Sequence, residues 1–385
     1  MHHKVRRTVL LLIYILLAGL LGTASFWLLF NAATGFGRGA ALAGLSLASL
    51  PGCLYLGNRP CRGQRAWKTA SILLGLWVLA AGAGLLLAAP PGQSRPGAPV
   101  SQYWSSGGSF QRYALANLAP EAEQVNLGFQ VMPYLDPLFT PQQAQRVSQF
   151  TLALYREMDR QPDFRRLGSA LGYAYTDWLG QPFEAGHYFL YVPANHPEGL
   201  LPAILFLHGS AGSFKAYTWA WAKLAESQGY VIIAPSFGFG DWRQVAGEQA
   251  ALAALEDAQK HAPIDMQRVY LAGLSNGGLG VSLLADHAPK LFRGLIWLSP
   301  VIATEVISSS AFQRKWAGRS VLVLTGAADE RVPVGYVEEQ VQRMRAGGVY
   351  VTYYAYPGED HFLFFARLEE VLDKIAHWLD QLDQE

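Results

Sequence analysis

Residues 268–278 read Arg-Val-Tyr-Leu-Ala-Gly-Leu-Ser-Asn-Gly-Gly: a short apolar, β-branched run that breaks at Gly273-Leu-Ser-Asn-Gly277 and gives way to a helix of small residues. This pattern fits a strand that turns sharply into a helix. Glycines flank the serine because side chains there would collide with the neighbouring strand and helix. Ser275 is thereby held on strained backbone at the carboxyl edge of a sheet. The N–H of Asn276, at the helix start, points to where an attacked carbonyl would gather negative charge. The turn is a nucleophile elbow.

A serine hydroxyl near neutral pH is a weak nucleophile. It needs a base, the base needs an orienting acid, and elbow-bearing sheets supply them in the chain order Ser, Asp/Glu, His. After the apolar strand Ser320–Thr325 comes Gly326-Ala-Ala-Asp329-Glu-Arg-Val-Pro333, and after the strand Val349–Tyr356 comes Pro357-Gly-Glu-Asp-His361-Phe362. Ser275, Asp329 and His361 each follow a strand, on one rim of a parallel sheet. His361 is the expected general base and Asp329 the group that fixes its tautomer. Glu330 and Asp360 are the rivals for the acid. Upstream, Ala203–Leu207 runs into His208-Gly-Ser-Ala-Gly-Ser213, where the N–H of Ser210 is expected to pair with that of Asn276 as an oxyanion hole. His208 reads as a structural hydrogen-bonding residue, and His187, His196, His261, His287 and His377 as surface or helix residues.

These motifs, in this order, make the chain from about Gly186 to its end resemble the α/β-hydrolase family. The Asp-x-x-Val-Pro loop and the Pro-Gly-x-x-His-x-Phe ending are similar to its dienelactone hydrolase and prolyl-oligopeptidase branch. The resemblance covers roughly half of the chain and implies hydrolysis of an ester, thioester or amide through an acyl-serine intermediate. No seven-fold repeat of strand signatures precedes the core, so an oligopeptidase propeller is not expected, and an esterase, lipase or thioesterase is preferred over a peptidase. The alternative of a different class is a membrane-anchored binding protein on the same fold without chemistry. Phe214, Tyr217, Phe237 and Trp242, with Phe239 and Phe362, fall on loops expected near Ser275 and suggest an apolar, ester or lipid-like substrate. Asp241 and Arg243 could meet a polar head group. No His/Cys/Asp/Glu grouping has metal-ligand spacing, so neither a metal nor a cofactor is implied.

The first ninety residues carry three uncharged stretches, 8–30, 39–56 and 69–89, expected as three transmembrane helices. The middle one is shorter and contains Pro51; as an interfacial segment it would leave only two crossings. Lys4, Arg6 and Arg7 precede the first stretch, and Arg59, Arg62, Arg65 and Lys68 lie between the second and third, whereas the first loop has only Arg38. Cytoplasmic loops collect Lys and Arg, so the reading is a cytoplasmic-membrane protein with its N-terminus inside and its catalytic domain outside. Residues 91–100 read as a Pro/Gly linker, 101–185 as an extension packed on the hydrolase with a helix at Thr140–Met158, and 186–385 as the catalytic domain.

The overall charge of +1 hides a strong asymmetry. Residues 1–99 hold nine Lys/Arg and no carboxylate, leaving 21 Lys/Arg against 29 Asp/Glu in the remainder. So acidic a domain argues against a nucleic-acid partner. Cys53 and Cys61 both fall in or beside the second apolar stretch, so no disulfide is expected in the domain.

Overall fold

The computed structural model describes residues 2–60, 62–181, 186–196 and 198–384. Cys61 lies outside the described residues. Two compact units form: Met1–Ala89 with Tyr113–Val131, and Pro90–Arg112 with Met132–Glu385.

In the first unit, α1 (His2–Asn31), α2 (Gly35–Gly57) and α3 (Gln64–Ala88) pack in sequence order, α1 on α2 and α2 on α3. Each is long and apolar enough to cross a membrane. The second helix begins at Gly35, earlier than the apolar stretch suggests. Thr34 caps it by accepting from the N–H of Gly37, so Gly35-Phe-Gly-Arg38 becomes a first turn. Hydroxyls inside the helices are satisfied locally: Ser46, Ser49 and Ser71 donate to the carbonyls four residues back, and Tyr14 donates to Ala48 O on the adjacent helix. The helix Glu121–Leu135 begins in this unit. Its buried Glu123 accepts from the N–H groups of Ala33 and Thr34, both at 3.0 Å, and from the Thr34 hydroxyl at 2.7 Å. One carboxylate thus closes the α1–α2 turn. Glu123→Ala leaves these donors unpaired at about 1–3 kcal/mol each, and should lower the thermal unfolding midpoint of the solubilised protein markedly more than Glu157→Ala at an exposed site.

The second unit is built on an eight-stranded sheet in the order β1-β2-β4-β3-β5-β6-β7-β8. The strands are β1 (Val100–Trp104), β2 (His187–Tyr191), β3 (Leu201–Leu207), β4 (Val231–Pro235), β5 (Ile264–Leu274), β6 (Gly294–Leu298), β7 (Ser320–Gly326) and β8 (Tyr350–Tyr356). Strands β4, β3, β5, β6, β7 and β8 are parallel, while β1 pairs antiparallel with β2 and β2 with β4. β3 is buried along its whole length, as expected of a strand covered on both faces. Leu201, Ala203, Leu205 and Leu207 join the core beneath the helices Val245–Ala258, Gly277–His287 and Val334–Ala346. On the alternate register Phe206 meets Tyr217 and Trp221 of the helix Lys215–Gln228, which packs with Leu368–Asp383.

β1 was not foreseen, because Val-Ser-Gln-Tyr-Trp adjoins the proline-rich stretch and is only five residues long. The span 101–185 is divided: 113–131 lies in the first unit, the rest in the second. Pro141–Met158 is a helix with a full capping box, Thr140 and Gln143 satisfying each other's N–H. All parallel strands point their carboxyl ends to one edge, and β3, β5, β7 and β8 end in the loops that carry the motifs.

Candidate active site

Ser275 follows β5 directly and has φ +53°, in the left-handed region that non-glycine residues rarely adopt. The surrounding backbone holds it there: its N–H donates to Leu298 O, and its carbonyl accepts from Gly278 and Val301. A Cβ on Gly273 would lie 2.5 Å from Gly277 O, and one on Gly277 would lie 2.2 Å from Leu207 O, so neither position has room for a side chain. The turn therefore depends on both glycines.

His361 Nε2 lies 2.9 Å from Ser275 Oγ, and His361 Nδ1 lies 2.7 Å from Asp329 Oδ2. The other Asp329 oxygen accepts from the N–H groups of Arg331 and Val332, and its side chain is fully buried. An acceptor at Nδ1 fixes the proton there and leaves the Nε2 lone pair for the serine O–H. The rival carboxylates are elsewhere. Glu330 is exposed, and Asp360 accepts from the N–H of Phe362 and from Arg146.

Facing the serine, Asn276 Nδ2 donates to Ser210 Oγ at 2.7 Å, tying the elbow to the loop after β3. Among the described residues, neither the Ser210 nor the Asn276 backbone N–H donates to another group of the chain. Two unspent donors beside a serine hydroxyl are what an oxyanion requires. Ala211 at φ +75° supplies a second left-handed residue in that loop, which sequence reasoning missed although Gly212 follows it.

The loop is pinned by His208. Its Nδ1 donates to Gly209 O at 2.7 Å, its Nε2 accepts from the N–H of Phe237 at 3.0 Å, and its carbonyl accepts from Trp242 Nε1. Burial pushes this imidazole down to about 4, against the opposing pull of the Gly209 bond.

The aromatic residues divide. Trp242 and Phe237 are core residues stacked on one another, and Tyr217 is buried between Phe206, Phe214 and Phe365. These three, expected as substrate contacts, are all buried, and Trp242 also anchors the His208 loop. Phe214 is half-buried, as are Phe362 and Phe365. Asp241 and Arg243 pair with each other at 3.3 Å on the surface. His187, expected at a surface or in a helix, is a buried residue of β2 held by Ser236 Oγ at 2.8 Å and enclosed by Trp104, Tyr173 and Phe189. Burial pushes it down to about 3.

The sheet order and the strand-elbow-helix at its centre make this an α/β-hydrolase fold. No family model matches the chain. It is 33% identical over 111 residues to dipeptidyl-peptidase 5 of Porphyromonas gingivalis, covering 25% of this chain and 16% of that protein. It is 31% identical over 132 residues to the bifunctional acetylxylan esterase/xylanase XynS20E of Neocallimastix patriciarum, covering 32% of this chain and 19% of that protein. These matches span less than a fifth of the length of either relative. Among solved structures, Est1E from Butyrivibrio proteoclasticus is 19% identical, with a TM-score of 0.44 over 53% of this chain and 98% of that one. The metagenomic carboxylesterase EstE1 is 19% identical, with a TM-score of 0.42 over 52% and 86%.

His208 and His187 both refuse a proton in the folded state that the unfolded chain accepts below about pH 6.5. Their contribution to stability is complete above that value and is lost as pH falls towards 4 and 3. His208→Gln should therefore unfold at a lower temperature than the parent at pH 7, and the gap should narrow between pH 6.5 and pH 4. A gap independent of pH would contradict the neutral, buried assignment.

Proposed function

We propose that the protein is a membrane-anchored serine hydrolase cleaving carboxylic esters through an acyl-serine intermediate. The observation that carries this reading is the continuous chain of hydrogen bonds from Asp329 through His361 to Ser275, beside two unspent backbone donors. His361 takes the Ser275 proton as the hydroxyl oxygen attacks the ester carbonyl. The N–H groups of Ser210 and Asn276 receive the developing oxyanion. Collapse expels the alcohol, which takes the proton from His361 Nε2. Water, deprotonated by the same nitrogen, then releases the acid and the free serine. Asp329 stabilises the imidazolium in both halves without itself taking a proton. The half-buried rings of Phe214, Phe362 and Phe365 favour an apolar acyl or alcohol group, a small-molecule or lipid-like ester. The partial likeness to a dipeptidyl peptidase keeps amide cleavage as the second reading.

A fluorophosphonate should label Ser275 in detergent-solubilised protein and leave Ser275→Ala unlabelled. His361→Ala should reduce turnover of a nitrophenyl ester by about 10⁴-fold or more, since the three residues act as a unit. Folded protein that takes no label points to the non-catalytic alternative. Labelled protein that turns over dipeptide amides in preference to esters points to the peptidase.

We also infer three crossings with the N-terminus inside and the hydrolase outside the cytoplasmic membrane. The cation asymmetry supports this. So does Glu123, which follows α3 in the chain yet binds the α1–α2 turn, as it must if the two lie on one side of the membrane. Alkaline phosphatase fused after Glu385 should be active, because it forms its disulfides only in an oxidising compartment. An inactive phosphatase with a fluorescent green fluorescent protein fusion at the same point would mean two crossings.

A further inference from the structure

The loop that carries His361 also carries two acidic side chains, Glu359 and Asp360, both almost completely buried. Carboxylates withdrawn from water, one and two residues before His361 in the chain, need a cation. It comes from more than two hundred residues upstream. Arg146, in the second turn of the helix Pro141–Met158, donates through Nη2 to Glu359 Oε2 and through Nη1 to Asp360 Oδ2 at 3.4 Å. Arg367 donates to the other Glu359 oxygen at 2.7 Å, but Arg146 alone of the two cations reaches Asp360. Burial would raise Glu359, and the bonds from Arg367 and Arg146 outweigh it and hold the carboxyl below its usual range.

The same segment grips the acid loop. Asp136 accepts from Arg331 at 2.6 Å, two residues after Asp329. Phe139 lies between these contacts, edge-on to Phe362 and under the Arg331 guanidinium. Residues 136–146 therefore touch both loops that furnish the base and its orienting acid. The loops also meet directly, Ala327 and Ala328 donating to Tyr356 and Glu359 carbonyls.

We infer that Arg146 is a positioning residue for the reaction: it neutralises Glu359 and Asp360 and so sets both the placement and the charge environment of His361. This rests on the serine-hydrolase reading above. The charged and titratable groups around His361 are Asp329 at Nδ1, Arg331 with its partner Asp136 beside that carboxylate, Glu359 and Asp360 on its own loop, and Arg146 and Arg367 facing them. Removing Arg146 leaves Asp360 without its cation, and a negative charge gained near an imidazole favours the protonated ring.

The test is the second-order rate of fluorophosphonate labelling of Ser275 as a function of pH, on the full chain in detergent. Arg146→Ala should label to the same end point as the parent but about tenfold more slowly at pH 7. Its acid limb should lie about one pH unit higher, the size expected for one partly screened charge. Arg146→Lys should recover most of the rate and the limb. Asp360→Asn removes the charge instead, and should move the acid limb to lower pH; it also serves if Arg146→Ala does not fold. Slower labelling with an unmoved acid limb in Arg146→Ala, or an unmoved limb in Asp360→Asn, overturns the inference and leaves Arg146 a structural residue. Failure of the parent itself to label overturns the hydrolase reading instead.

Discussion

The chain must reverse direction within one residue at the end of β5, and Ser275 bears that reversal. A left-handed serine costs of order 1–3 kcal/mol and persists only where the surroundings over-determine it. Here they do. The Ser275 N–H is spent on β6, its carbonyl accepts from both the new helix and the β6 loop, and Leu207 O leaves no space for anything but glycine at position 277. The strained turn leads directly into the helix Gly277–His287 and, among the described residues, leaves the Asn276 N–H without a partner in the chain. The serine hydroxyl and the unspent N–H that follows it are thus products of one backbone geometry. The loop after β3 could not meet the elbow unless β3 lay beside β5 in the sheet, as it does.

Two histidines show how differently one residue type can be held. His208 is sealed off, with both ring nitrogens committed to backbone groups, and burial keeps it neutral. It can brace the loop after β3 because it does not titrate near neutrality. His361 has the same ring but a carboxylate on one side and a hydroxyl on the other. The Gly209 carbonyl pulls the His208 ring back only part of the way against burial. The sequence distinguished the two only by position, one before a glycine loop and one after the last strand.

What could be read from the residues was local. The elbow, the two loops after β7 and β8, and the capped helix at Pro141–Met158 each announce themselves within a dozen residues, because turn chemistry and period are short-range signals. Burial was less legible. Phe237 and Trp242 sit in loops, where aromatic rings suggest an exposed surface, yet both are buried, Trp242 donating to the His208 carbonyl. His187 was misplaced because a five-residue strand at the antiparallel side of the sheet carries little pattern of its own, and its partners, Gln102 and Ser236, lie far away in sequence. Arg146 gave no signal whatever: a lone arginine on an amphipathic helix reads as a solvated face, and its two carboxylates lie 213 and 214 residues further on.

The three apolar helices, long enough to cross a membrane, meet a different constraint: their hydroxyls find partners within the protein. Serine hydroxyls there return to the preceding turn, and Tyr14 reaches a neighbouring carbonyl. The α1–α2 turn cannot satisfy itself in this way, because three donors at Ala33 and Thr34 point out of it. They are met by Glu123, carried by a segment that a composition boundary at the Pro/Gly linker would assign to the soluble part. Charge explains why that segment belongs with the helices. The first 99 residues contain no carboxylate, so the anion that closes the turn has to come from beyond the linker. The boundary between the units therefore follows the hydrogen-bonding requirement of the turn, and the chain passes from one unit to the other more than once to meet it.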